Sequence, residues 1–296
     1  MSKVPEDVDP EALYVASRRV LLDALYALEG QRDALILIGA QAVYLRSQEA
    51  NLAIAAFTAD ADLGIDRTLL SDLPRLEQAM REAEFALSDQ ARTQPGQWFR
   101  TVQIDGESVE IPVDLLIPER FSDTARRRRS VNLPPHDRMA VRKVEGIELA
   151  IVDNSILKIV SLEPNADPRS ADIKVAGVAA LLTAKAYKIH DRSVDPNPGR
   201  LSNKDAGDII RLMSTSNPRT VALTFSELLQ HSDERISQTA RAGLGYLKEQ
   251  FGRVRGSGVG MAEQALTGAM SIETIRGLAT AYTRELPDSG DADGSA

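Results

Sequence analysis

The chain has no cysteine and only three histidines, His136, His190 and His231. Without cysteine there is no disulfide framework, no Cys-based zinc site and no thiol nucleophile. The histidines are scattered with no ligand spacing, which argues against a His-rich metal site. No apolar run approaches the roughly 20 residues needed to span a bilayer. The first seven residues are acidic and lack the apolar core of a signal peptide, so a cytoplasmic protein with no membrane partner is expected. Positive charge is also short: 35 Lys and Arg stand against 43 Asp and Glu, a formal net charge of −8. That balance argues against a surface coated for nucleic acid. What remains is an ordinary globular composition, 43% hydrophobic and 26% charged over 296 residues, enough for one large domain or two modest ones.

The most informative stretch is Phe57-Thr58-Ala59-Asp60-Ala61-Asp62-Leu63-Gly64-Ile65-Asp66. Read with the two-residue period of a strand, Ala59, Ala61, Leu63 and Ile65 share a face that can be buried. Thr58, Asp60, Asp62 and Gly64 share the other. Two carboxylates on one side of a strand repel unless water screens them or a cation lies between them, and a hard ion such as Mg²⁺ takes such oxygens. A half-exposed strand with two solvated acids would read the same way. The tail supplies a control, because Asp291-Ala292-Asp293 repeats the tripeptide without any apolar face and reads as part of a disordered acidic tail over 287–296.

Along the chain, residues 10–28 predict a helix capped by Asp9, and 34–38 a short buried strand ended by Gly39. A helix over 40–46 follows. A strand, a glycine turn and a helix N-terminus offer free N–H groups to phosphates, although a glycine that only turns the chain fits equally. Residues 71–85 read as a helix with Pro74 in its first turn. Residues 98–104 and 108–116 read as a hairpin turned at Asp105-Gly106. On its second strand Asp114 is a lone carboxylate opposite an aliphatic face, and Pro112 leaves open an edge-strand acid facing water. The segment 119–143 opposes the overall sign, with eight Arg or Lys against three Asp or Glu, including Arg126, Arg127, Arg128 and Arg129. Such a run is either a solvated loop or a landing site for a polyanion. Further strands are expected over 146–152 and 156–162, a linker over 164–170, then helices over 178–192, 204–213, 218–230, 233–249 and 261–284.

On the helix over 178–192, Lys185, Lys188 and Arg192 lie on one face; this stripe suits either solvent or a triphosphate. Ser202 and Asp205 match a capping box, which explains Asp205 structurally; Asp208 shares its face without that explanation.

The order strand–Gly39–helix, Asp60-x-Asp62 on a strand, then Asp114 on a later strand resembles the nucleotidyltransferase superfamily typified by polymerase beta. Lys185 on a helix followed by Lys204-Asp205-x-x-Asp208 is similar to the AbiEii-type nucleotidyltransferases, toxins of abortive-infection and toxin–antitoxin systems. The resemblance spans roughly residues 33–213. It implies an α/β (α+β) fold, with a small mixed sheet forming a nucleotidyltransferase domain over 1–165 and an α-helical domain over 166–286. It implies an enzyme that moves a nucleoside monophosphate from an NTP to an acceptor and releases pyrophosphate. Asp60, Asp62 and Asp114 would hold Mg²⁺ or Mn²⁺, with Asp114 helping to activate the acceptor. Gly39, Ala40, Thr58, Lys188 and Arg192 would contact the nucleotide. Lys185 would neutralise the leaving pyrophosphate, and Asp205 or Asp208 would orient Lys185 or touch the nucleotide. The acceptor implied is RNA, especially tRNA, drawn by the four arginines, and a cognate antitoxin is an implied partner. Two rivals stand beside it: a catalytically weak nucleotide- or RNA-binding regulator, favoured by the Gly39-Ala40 turn, and a small-molecule transferase of the antibiotic-modifying kind.

Overall fold

The structure is a computed structural model that describes residues 8–47, 60–87, 94–122, 130–195, 197 and 202–290. It is a mixed α/β fold in which a sheet of eight strands is followed by helices. Two compact units divide the chain. A sheet unit is drawn from Met1–Ala42, Phe57–Val144 and Asn154–Ala176, and a helical unit from Val43–Ala56, Glu145–Asp153 and Gly177–Ala296.

The sheet unit opens with helix α1 (Pro10–Ala27), capped by the Asp9 carboxylate, which accepts from Ala12 N–H. Strand β1 (Leu35–Ile38) is four apolar residues, all buried, and sits inside the sheet between β2 (Ala61–Ile65) and β8 (Ser170–Ala176). Buried on both faces, it has no need of alternation. Helix α2 (Gly39–Arg46) follows β1 without a loop. Beyond β2 come α3 (Leu76–Glu82), β3 (Ala86–Leu87), β4 (Gln97–Ile104), β5 (Glu107–Pro118), β6 (Arg142–Val144) and β7 (Asn154–Val160). The sheet order is β3-β4-β5-β2-β1-β8-β7, with β6 beside the C-terminal end of β5. Pairs β1/β8, β2/β5 and β5/β6 are parallel, and the others antiparallel. Asp105 and Gly106 both adopt positive φ, 52° and 85°, the turn the Asp-Gly pair predicts for the β4/β5 hairpin.

Several expectations give way to the structure. Residues 146–152 form no strand; Gly146 has φ 89°, and its N–H is taken by the buried Glu148 carboxylate at 2.8 Å, closing a turn. The stretch between the expected linker over 164–170 and the helix from 178, where no strand is expected, contains β8. Its alternation is present, with Ala171, Ile173 and Val175 buried, but Asp172 and Lys174 on the other face mask it. The boundary expected at 165/166 therefore falls between β7 and β8, and the helical unit's main run begins at Gly177. Helix α3 starts only at Leu76, because Gln31 and His136 bind the backbone before it: Gln31 Nε2 donates to Ser71 O and Pro74 O, and Leu76 N–H donates to His136 Nδ1.

The helical unit holds α4 (Val178–Ser193), α5 (Asn203–Thr215), α6 (Pro218–Leu229), α7 (Glu234–Phe251), α8 (Ser257–Ala265) and α9 (Ile272–Glu285). The last two replace the single helix expected over 261–284; Gly268, at φ 81°, breaks it, and Ser271 caps the new start through Thr274 N–H. The N-terminus of α4 is held by Asp153, whose carboxylate accepts Ala180 N–H at 2.8 Å. Helix α4 packs against α5 and α7. Among the described residues no helix is long and apolar enough to cross a membrane.

Candidate functional site

In the sheet unit, two parallel strands bring two carboxylates into register. Asp62 on β2 is the Cα partner of Asp114 on β5, so both side chains leave the same face of the sheet. Asp60 lies just before β2 and is exposed, and its negative charge acts on Asp114. Asp114 is not an edge residue. At its position β5 is flanked by β4 on one side, through Gln97, and by β2 on the other. Pro112 is tolerated because Leu115 N–H donates to Gly96 O on the β4 side. Alternation therefore turns position 112 toward the β2 edge, where pairing begins only at Val113.

Asp114 is 8% exposed. Its Oδ2 accepts from Arg142 Nη2, and Arg142 Nη1 donates to Gln94 Oε1 at 3.2 Å. Its Oδ1 is buried without a hydrogen-bond partner. Burial pushes the Asp114 carboxyl up to about 7; the Arg142 guanidinium opposes this, and the negative charges of Asp62 and Asp60 add to it. Gly39 completes the place. It has φ 72°, and a Cβ there would overlap the Asp62 carboxylate, so only glycine allows the turn. The Asp62 carboxylate thus lies against the first residue of α2, with Ala40 buried behind it.

A divalent cation suits this donor set, which offers in-register carboxylates, one orphaned buried oxygen and mutual repulsion that a cation would relieve. Among the described residues no three Asp, Glu, His or Cys side chains are already drawn into a group that could hold a metal ion. The Arg142 guanidinium supplies positive charge to one of these carboxylates, Asp114.

In the helical unit, the charged residues singled out by sequence form one buried network. Lys185 Nζ donates to Asp205 Oδ1 and Asp208 Oδ2, both at 2.8 Å. Asp205 also meets Lys188 at 3.3 Å and Arg192 at 3.0 Å, and Asp208 meets Arg211 at 3.1 Å. Lys185, Asp205 and Asp208 are at most 4% exposed. The cationic stripe read from the sequence is therefore solvated only at Lys188, with Arg192 half-buried. The capping-box reading of Asp205 also fails: Ser202 makes no side-chain cap, and the Asp205 carboxylate is committed to three cations.

Burial pulls the Lys185 ammonium down, but Asp205 and Asp208 outweigh it and hold it above the ordinary lysine value. Burial likewise pushes Asp205 up, and Lys185, Lys188 and Arg192 reverse this, keeping it below the usual carboxylate range. Tyr44 borders the network, with the Arg211 guanidinium 4.8 Å from its ring centre. Burial, helped by Asp208, pushes its hydroxyl up to about 12. Four cations here face two carboxylates, a surplus of two positive charges.

Thr58 and the arginines at 126–129 lie outside the described residues, as do residues 291–296 of the acidic tail. Arg142, Gln94, Tyr44 and Arg211 were not legible as site residues. For Arg211 a signal existed, since it lies three residues after Asp208 on the same helix. Neither models of known protein families nor curated proteins give a match to the chain.

Proposed function

We propose that the chain is a divalent-metal-dependent nucleotidyltransferase of the AbiEii type, moving a nucleoside monophosphate from an NTP to an RNA acceptor such as tRNA. The observation that carries this reading is the in-register pair Asp62–Asp114 beside the Gly39 turn. Asp60, Asp62 and Asp114 would hold Mg²⁺ or Mn²⁺, which when bound supplies neutralisation of the triphosphate and of the charge that develops on it.

In the reaction the acceptor oxygen forms a bond to the α-phosphorus, and the bond from that phosphorus to the pyrophosphate oxygen breaks. Asp114, fixed by Arg142 through Oδ2, would help to take the proton from the acceptor hydroxyl. The Gly39-Ala40 turn opens α2, whose first N–H groups and positive dipole end favour phosphate oxygens. In the helical unit, Lys188 and Arg192 are the accessible part of a network with surplus positive charge. Lys185 would act from behind them, keeping Asp205 and Asp208 from binding those cations fully. Service as the toxin of a two-gene system, with an antitoxin partner, belongs to the same reading.

The test is pyrophosphate release from each of the four NTPs with Mg²⁺ and bulk tRNA. Release is expected with one or more NTPs, with a loss of at least about 100-fold in Asp114→Asn. No release with any NTP, at protein concentrations that bind nucleotide, would favour a regulator that binds without turnover. The ion pair that already occupies Asp114 is the observation that favours that second reading.

A further inference from the structure

The core side of the sheet takes the large apolar residues of β4 and β5: Trp98, Ile111, Val113 and Leu115 are fully buried. Phe99 does not join them. Strand alternation turns it to the opposite face, the one that carries Asp62 and Asp114, and it is partly exposed there. Its Cα partners are Pro112 on β5 and Ala86 on β3, a flat ring and a single methyl, so the three form a low apolar step beside the carboxylates. Across the same face one row reads Ile38, Asp62, Asp114, Gln97. Phe99 lies two residues past Gln97, about 7 Å along β4.

We infer that Phe99, flanked by Pro112, is a stacking platform for the base of the nucleotide that carries the acceptor hydroxyl. The inference rests on the transfer reading given under Proposed function. The order of the row decides between the two bases such a transferase handles, that of the NTP and that of the acceptor. Ile38 immediately precedes Gly39, so the turn that favours phosphate oxygens lies at the β1 end of the row. The leaving pyrophosphate and the attacking oxygen lie roughly in line, on opposite sides of the transferred phosphorus. The acceptor therefore arrives from the β4 end, past Asp114, and Phe99 stands at that end. An aromatic face accepts any base, because every base has a π-face, and stacking strengthens binding about 5- to 150-fold per base. Single-stranded RNA, whose bases can splay onto an aromatic ring, suits this platform better than a duplex.

The experiment uses the full chain and a short single-stranded RNA ending in 2-aminopurine riboside, whose fluorescence falls when the base stacks. Wild type and Phe99→Tyr should quench the probe. Phe99→Leu, which keeps apolar bulk without a π-face, and Phe99→Ala should lose the quenching and bind the RNA at least about fivefold more weakly. In turnover, the same two variants should raise KM for the RNA and leave KM for the NTP unchanged. Wild-type quenching and affinity in Phe99→Leu would overturn the inference; pyrophosphate release by that variant at the wild-type rate would leave the transfer reading standing. Weaker NTP binding with unchanged RNA binding would also overturn it, because the platform would then serve the base of the NTP. So would wild type that releases pyrophosphate yet binds the probe without quenching, or not at all. Absence of both pyrophosphate release and RNA binding in wild type removes the transfer reading, and the platform with it.

Discussion

Replacing Lys185 with alanine should destabilise the protein whatever it does to activity. The ammonium is 4% exposed and makes two 2.8 Å contacts to carboxylates that are themselves 3% and 1% exposed. Removing one partner of a buried ion pair costs about 3–5 kcal/mol, because the remaining charge stays desolvated. Asp205 would keep Arg192 at 3.0 Å and the more exposed, better-screened Lys188 at 3.3 Å, while Asp208 would keep Arg211 at 3.1 Å. Those surviving cations place the expected loss at the lower end, about 3 kcal/mol, or roughly 6–12 °C in melting temperature for a unit of this size. Thermal melts at pH 7 measure it, with Lys188→Ala as the exposed control, expected within about 0.5 kcal/mol of wild type. A double variant, Lys185→Met with Asp208→Asn, should lose less than the sum of its single changes, since the second removes a charge the first strands. The pH dependence follows with its sign. Asp205 is held below its ordinary range, so its contribution is present above about pH 4 and lost as pH falls further. Lys185 is held above its ordinary range, so its contribution persists up to at least about pH 10. The gap between wild type and Lys185→Met should therefore be widest between those limits and close below pH 4. A Lys185→Ala protein that melts within about 1 °C of wild type would refute the buried network.

Three further outcomes are expected. Asp114 is raised to about 7, so the unfolded chain releases that proton first, and the fold loses stability as pH rises from about 4 to 7. In chelator, the melting temperature of wild type should fall more across that window than that of Asp114→Asn; parallel curves would exclude a buried, proton-holding Asp114. Gly39→Ala should cost more than the roughly 1–2 kcal/mol of a left-handed alanine, because its Cβ also meets the Asp62 carboxylate, and should weaken Mn²⁺ binding; a variant that melts and binds like wild type would dissociate the turn from the site. Neutralising the arginines at 126–129 should weaken RNA binding and flatten its salt dependence while NTP binding holds, as measured by filter binding at several salt concentrations; an unchanged slope would reduce the run to a solvated loop.

Wherever local pattern and neighbour agree, the fold was readable. Asp9, Asp105-Gly106 and the run Leu35-Ile36-Leu37-Ile38 act through residues next to them in sequence, and each element formed within a residue or two of its expected place. The failures come from partners far along the chain. Leu76 begins its helix where it does because His136, 60 residues on, takes its N–H. Strand β8 is set by β1, which lies well over a hundred residues earlier. The site divides the same way. Asp60, Asp62 and Asp114 stood out by alternation alone. Arg142 did not, because its role depends on a three-residue strand and a glycine at 96 that no periodicity announces. The burial of Lys185 was likewise hidden, since helical spacing shows which charges share a face but not which face is covered.

Strand β8 has a consequence for how this chain is made. β1 ends at residue 38, and one of its two edges is closed only by β8, which ends at residue 176. At translation rates of about 5–20 residues per second, the ribosome needs roughly 7–28 s to add the intervening residues. Throughout that time Leu35-Ile36-Leu37-Ile38 presents an apolar strand with an open row of N–H and C=O groups, the form most prone to pair with a neighbouring nascent chain. An open edge of this kind during synthesis favours aggregation, and holding the nascent chain on a chaperone should raise its soluble yield.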